Sequence, residues 1–362
     1  MDGRRRLAHL VLSEGWTVSS AASFCGVSRQ TASVWVSRAR SEGLAQMSER
    51  SRRPKSSPSR TDGAVEEAVL RLASLYPAWG PAKLYALLWE PGQAPVCERT
   101  VARILARSGR RIQSPVKVPA DPVRFERAQP NELWQVDFKG LGSRKARRES
   151  LTVLDDHSRY LLASREVASQ TLHSAWSVLW DVFGEFGLPD ALLTDNGSAF
   201  RNNGTWRWSS FDLRLMLLEI KPAHGRPYHP QTQGKVERLH ETLELELEAL
   251  PEAGLSAQPT LDAFRNRYNW KRPHQALGQR TPGAAYRPSS RPRPERMPEP
   301  FFPQDAAIRK CREDGEISFK GQIYRIGKAF ARLPVGVLED AYGKPHLCWA
   351  GKAVAPLQDF KV

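Results

Sequence analysis

The sequence predicts a multidomain protein: an α-helical N-terminal third, an α/β core built on a mixed five-stranded sheet, and a small C-terminal β-barrel. Three observations predict this. Apolar residues recur at helical spacing through the first 112 residues, in groups broken by Gly, Pro and Ser turns. From Glu132 the pattern switches and runs as three strands, helix, strand, helix, strand, helix. After residue 305 only short strand-like pieces with Gly turns remain. The 362 residues, 40% apolar and 26% charged, suffice for two or three domains with their own cores.

Within residues 1–50, Val18–Phe24 forms one helix, Cys25-Gly26-Val27 a turn, and Ser28–Val36 the next helix, with Ser28 as N-cap. Val27, Thr31, Val34 and Trp35 read as its apolar stripe. The pair resembles a helix-turn-helix whose second helix enters the major groove, although an ordinary helical hairpin gives the same pattern. In that reading Arg29, Gln30 and Ser33 face base edges, and Arg38 and Arg40 face phosphates. Residues 51–61 are a basic Ser/Pro/Arg linker. Residues 62–112 repeat the helical pattern through Val65, Val69, Leu72 and Leu75, a helix from Trp79 and another from Glu98, as a second helix-turn-helix-like domain. A linker covers 113–129.

The core spans 130–286. Strands are expected at Trp134–Leu141, Glu149–Asp155, Tyr160–Val167, Ala191–Thr194 and Leu218–Ile220, and helices at Thr171–Phe186, Phe211–Leu218, Gln233–Leu250 and Thr260–Trp270. A Pro/Arg-rich linker follows at 287–305. The barrel at 306–362 has strand-like pieces at Glu316–Phe319, Gln322–Ile326, Val335–Leu338 and His346–Trp349.

The net charge of +15 points to an acidic partner, nucleic acid before an anionic membrane. No apolar run approaches the roughly 20 residues of a membrane span, and the N-terminus lacks the pattern of a signal peptide. The four cysteines (Cys25, Cys97, Cys311, Cys348) form no Cys-x-x-Cys pair; they fit small core thiols in a reduced, cytoplasmic protein and give no zinc site.

Against this cationic background, Asp137, Asp195 and Glu237 stand out. Asp137 lies mid-strand between Trp134 and Phe138, where an unpaired carboxylate is costly. Asp195 ends a buried strand, the usual crevice for ligands in such sheets, and Asn196-Gly197-Ser198 makes the turn after it. On the last long helix Val236, Leu239, Leu243, Leu247 and Leu250 form the stripe, which puts Glu237 on a flank. Glu241, Glu244, Glu246 and Glu248 read as solvated. Taken singly, a strand-end Asp is more often a turn former and a helical Glu a surface residue. Together, three hard-oxygen ligands beside Lys235 and Arg238 read as a site for divalent cations against a phosphate backbone.

The motifs carrying these acids resemble the catalytic core of bacterial insertion-sequence transposases related to retroviral integrases. The matching residues are Trp134–Asp137, Leu154–Tyr160, Thr194–Phe200, Tyr228–Arg238, Tyr268–Leu277 and Thr281-Pro282. The resemblance implies a ribonuclease-H-like fold, with Asp137, Asp195 and Glu237 as the D,D,E metal ligands and catalytic acids. It further implies two Mg²⁺ or Mn²⁺ ions, a DNA partner comprising transposon ends and target, and a homo-oligomer assembled on DNA in a bacterial cytoplasm. His229, Gln231, Lys235 and Arg238 are implied as DNA contacts. The 41 residues between Asp195 and Glu237 exceed what is usual in that superfamily; the surplus falls at Arg201–Ser210, read as a loop that could touch DNA. The absence of a His/Cys zinc-binding N-terminal domain favours a transposase over a retroviral enzyme. Asp155 and Asp156 are read as structural. The function expected is metal-dependent DNA cleavage and strand transfer; a DNA-binding regulator with a silent core, or a nuclease that does not join strands, is the alternative.

Overall fold

The computed structural model describes residues 3–47, 60–89, 92–110, 126–141, 148–201, 207–225, 234–248 and 258–361. The chain divides into two compact units, Met1–Arg60 and Thr61–Val362.

The first unit holds helices α1 (Gly3–Leu12), α2 (Val18–Phe24) and α3 (Arg29–Glu42). Thr17 and Ser28 cap α2 and α3 through their hydroxyls, and Gly26 takes the positive φ that the turn requires. The stripe of α3 differs from the one expected: Ala32, Val36 and Ala39 are buried, while Val27, Thr31 and Val34 are exposed. Small Ala residues let α3 lie close to α1 and α2, so the face turns toward them and away from the larger Val34.

The second unit begins with α4 (Gly63–Leu75), α5 (Pro81–Leu88) and α6 (Glu98–Arg107), which close a core around Val69, Leu84, Val101 and Ile104. Next comes a mixed sheet of β1 (Trp134–Leu141), β2 (Arg148–Asp155), β3 (Leu161–Val167), β4 (Ala191–Thr194) and β5 (Lys221–His224), ordered β3-β2-β1-β4-β5. β1 to β3 are antiparallel, and β4 and β5 run parallel to β1. One sheet face packs on α7 (Leu172–Phe186) and α8 (Ser210–Leu217) through Trp134, Val136, Phe183 and Phe211. The other packs on α9 (Gly234–Glu248) and α10 (Gln258–Trp270) through Leu154, Leu161, Leu239 and Phe264. This is the expected ribonuclease-H-like order. The fifth strand alone is displaced: Leu218 closes α8, Glu219 turns left-handed at φ 56°, and Ile220 is buried before pairing starts at Lys221. Pro222 is tolerated because β5 is an edge strand.

A short helix, α11 (Pro282–Ala285), leads into residues 287–305, which pack against the core. Arg291 donates to the carbonyls of Pro189, Leu218 and Glu219, Arg293 lies over the Trp180 ring, and Ser289 N–H donates to Phe186 O. Gly187, at φ 79°, makes room: a Cβ there would sit 2.8 Å from the carbonyls of Ser289 and Arg291.

The C-terminal domain consists of two antiparallel sheets around one core. Strands β6 (Ala307–Lys310), β9 (Pro334–Glu339), β10 (Pro345–Trp349) and β11 (Lys352–Pro356) make the larger, β7 (Glu316–Phe319) and β8 (Gln322–Arg325) the smaller. This core also takes Trp208 and Leu213 from the ribonuclease-H-like part, and Trp349 Nε1–H donates to Leu213 O. Within the surplus stretch after Asp195, Trp208 packs on Phe330 and Phe360 of the C-terminal domain. Of the cysteines, Cys311 and Cys348 are buried as expected, but Cys97 is exposed. Among the described residues no helix is long and apolar enough to cross a membrane.

Candidate active site

The β1–β4 register ends at Val136 opposite Thr194, so the next residues are Asp137, in the middle of β1, and Asp195, just past the carboxyl end of β4. Alternation turns Val136 into the α7 core and Asp137 toward α9. There His240, one turn beyond Glu237, places Nδ1 3.7 Å from Asp137 Oδ2 and bonds Thr152 Oγ1 through Nε2 at 3.1 Å. Glu237 is exposed in the first turn of α9 and has no hydrogen bond or ion pair with a described residue. Burial, then the charges of Asp195 and Glu237, push the Asp137 carboxyl up to about 7. Burial, and then Lys139, hold the His240 imidazole down at about 4, so it is neutral beside that acid.

Asp195 is only lightly tied: its Oδ1 accepts the Gly197 N–H at 2.9 Å. Gly197 permits this curl, because a Cβ there would meet Asp195 Oδ1 at 2.9 Å. Beneath it, Thr194 Oγ1 bonds His224 Nδ1 at 3.0 Å, and His224 Nε2 bonds the buried Asp212 at 2.9 Å. Asp212 in turn closes a capping box with Ser209 at the start of α8. This relay fixes the end of β4. Sequence reasoning missed it, and also missed His240; the one available signal was His240 falling three residues after Glu237 on the same helix.

The neighbouring acids are fully engaged. Asp155 accepts the N–H groups of Asn131 and Ser158 and the Ser158 hydroxyl. Asp156 accepts Gln135 Nε2–H and Arg127 N–H and pairs with Lys235 Nζ at 2.7 Å. Lys235 thereby pins the first turn of α9 against the end of β2. Glu246 departs from expectation: it is buried, and accepts Trp79 Nε1–H and the Arg267 guanidinium. Glu244 pairs with Lys139.

On α3, Arg29, Gln30, Ser33 and Arg40 are exposed, whereas Arg38 is paired with Glu42 and stacked on Trp35. Arg238 is exposed beside Glu241. His229 and Gln231 lie outside the described residues, as does most of the basic linker.

The donor set suits a hard divalent cation: three carboxylates from three elements, two of them raising the third. Among the described residues, however, no group of three or more His, Cys, Asp or Glu side chains is already closed enough to hold a metal ion.

Family models agree with this architecture. One described as an integrase core domain matches residues 127–230, and a second of the same description matches 218–282. A helix-turn-helix domain matches 4–55 and a homeodomain-like domain 31–105. The chain carries an integrase core domain. The helix-turn-helix matches lie ahead of that core in the chain. The chain is 29% identical over 149 residues to the Gag-Pro-Pol polyprotein of sheep pulmonary adenomatosis virus, covering 41% of this chain and 8% of the polyprotein. The polyprotein of simian retrovirus SRV-1 is 33% identical over 124 residues, 33% of this chain and 6% of its own length. The chain thus spans under a tenth of these relatives. Similar solved structures include an intasome of simian T-cell lymphotropic virus in complex with a PP2A regulatory subunit (19% identity, 80% of this chain, 96% of that one, TM-score 0.41). Another is the catalytic core domain of BIV integrase (22% identity, 43% and 93%, TM-score 0.35).

Proposed function

We propose that this integrase-core protein is a DNA transposase that binds the ends of its mobile element, cleaves there and joins the freed 3′-OH to target DNA. The observation that supports the reading is that Asp137 on β1 feels the charges of both Asp195, just past β4, and Glu237, in the first turn of α9. These three acids would hold two Mg²⁺ or Mn²⁺ ions. The chemistry such ions supply when bound is activation of the attacking oxygen and stabilisation of the leaving one. The protein's own part is placement. β1 and β4 fix the two aspartates in register, His240 and Thr152 back Asp137, and the Lys235–Asp156 pair sets the turn that presents Glu237. The exposed Arg29, Gln30, Ser33 and Arg40 on α3 are assigned to base edges and backbone phosphates, and the active assembly to a homo-oligomer on DNA.

The test is strand transfer with labelled element ends in Mg²⁺ or Mn²⁺, comparing wild type with Asp137→Asn, Asp195→Asn and Glu237→Gln. Joined products that need metal and vanish in each variant are expected. Cleavage without joining would replace the reading by a nuclease; tight end binding with no chemistry in any metal would replace it by a regulator.

A further inference from the structure

The helical unit α4–α6 docks on α9 and α10 through Glu246, and the acid is used up in doing so. Its Oε1 accepts Trp79 Nε1–H at 3.0 Å, and its Oε2 accepts Arg267 Nε and Nη2 at 3.0 and 2.9 Å. Three cations stand around this joint. Lys83 follows Trp79 by one helical turn and opens α5. Arg238 precedes Glu246 by two turns of α9, with Thr242 between them on the same face. Arg272, just past α10, donates from Nη2 to Thr242 Oγ1 at 3.3 Å.

None of the three is neutralised by the joint. The partners of Arg272 are uncharged: Thr242, the His274 ring at 2.9 Å, and the Tyr268 ring face at 5.4 Å. His274 Nε2 also meets the Tyr268 hydroxyl, so the imidazole acts as an acceptor and carries no charge. Arg272 Nε is enclosed with no hydrogen-bond partner among the described residues. Lys83, part-buried, has no hydrogen bond or ion pair with a described residue. Burial first, then Arg272 and Arg238, lower its ammonium to about 8. Arg238 is exposed at the rim, 3.6 Å from Glu241. Lys83 and Arg272, part-buried cations that repel each other and have no ion pair with a described carboxylate, with Arg238 at their rim, make an anion-binding arrangement.

We propose that Lys83, Arg238 and Arg272 form a phosphate-binding seam that seats the backbone of duplex DNA across the joint between the second helical unit and the integrase core. The proposal rests on the reading of the chain as a DNA transposase. Arg238 directly follows Glu237, so a phosphate at the seam lies beside the proposed catalytic turn. A guanidinium fork and an ammonium point charge both suit phosphate oxygens. Because the seam is built from two elements far apart in sequence, a backbone held there fixes the helical unit and the catalytic helix in one register on the same duplex.

The test is fluorescence anisotropy of the full chain with a labelled duplex of arbitrary sequence, titrated across sodium chloride. Arg272 is integral to the α10 end, so the informative variants are Lys83→Gln and Arg238→Gln, which remove mutually repelling charges and should melt no lower than wild type. Each is expected to flatten the slope of log K against log salt by about 0.9 and to weaken binding about eightfold at 0.1 M salt. Wild-type slopes in both variants, with wild type itself binding strongly, would overturn the seam and leave the transposase reading untouched. Wild type without salt-dependent binding would overturn both. If inorganic phosphate at matched ionic strength released the duplex from wild type but not from K83Q, the cluster would be a small-anion site and the backbone assignment would fall.

Discussion

The start and the middle of strand β1 lie beside acids in opposite conditions. Beside its first residue, Trp134, the register places Asp155, and Asp156 follows; both are buried and every approach to them is occupied by an N–H, a hydroxyl or the Lys235 ammonium. Further along, Asp137 has a neutral imidazole at 3.7 Å, Asp195 has one backbone N–H, and Glu237 has no partner among the described residues. One set of carboxylates is satisfied by the protein itself. The other is left crowded, so that charge from outside is what relieves it. Acids of the first kind hold a fold together; acids of the second kind cost stability and persist where they do chemistry.

The sharpest way to break this contrast is to neutralise each set. Asp137→Asn, Asp195→Asn and Glu237→Gln are expected to lower strand transfer by more than about a hundredfold, the scale on which lost transition-state stabilisation is felt. None should lower the melting temperature without metal, and Asp137→Asn should raise it, because it removes a half-buried charge facing two others. Activity loss accompanied by unfolding would mean the acids are structural after all.

At the start of β1 the expected effects are reversed. Asp156→Ala strands the part-buried Lys235 and frees Gln135 and the Arg127 N–H, at a cost of about 3 kcal/mol in urea unfolding. Asp155→Ala, which leaves three donors without their acceptor, should cost about as much. A loss under about 1 kcal/mol in both would remove the distinction between the two sets.

Gly197→Ala separates activity from stability at a single atom. The new Cβ displaces the Asp195 carboxylate, which is the mobile tip of a side chain, so unfolding should shift by less than about 1 kcal/mol. Strand transfer should fall roughly tenfold or more, since a displaced catalytic group is penalised steeply. Unchanged activity would argue that the carboxylate need not stay where the turn holds it.

Most of the core was legible because its signals are local. β1, β4 and β7 fall where alternation and turn residues put them, and α7, expected from Thr171, starts at Leu172 with Thr171 as its cap. The three candidate acids stand out because each sits in its own motif. What stayed hidden depends on partners distant in sequence. Glu246 looks like its solvated neighbours until Trp79 and Arg267 reach it. Trp208 lies in what reads as an open loop, yet it fills the C-terminal core, and the arginines of 287–305 read as a linker although Arg291 and Arg293 are spent on the core. β6 and β11 escaped notice because each is only four or five residues long and together they bury one residue, Ala355. On α3 the small Ala face was outweighed by larger residues that prove to be exposed.

The last expected effect concerns acid stability near the phosphate-seam residues. Burial, then Arg272 and Arg159, hold His274 down at about 3 against an ordinary 6.5. The unfolded chain therefore takes up a proton that the folded chain refuses. The stability contributed by a neutral His274 is complete above about pH 6.5 and is lost progressively as the pH falls toward 3. Carboxylates with lowered folded values would add losses in the acid range, so the wild-type curve alone does not isolate the histidine. His274→Gln keeps an acceptor for Arg272 and Tyr268 but cannot titrate, and the difference between the two urea midpoints isolates it. That difference should be constant from pH 8 to about 6.5 and then move steadily in favour of the glutamine variant down to pH 4. A difference that stays flat over the whole range would mean that His274 is protonated in the folded state, and that the guanidinium beside it is not held by a neutral acceptor.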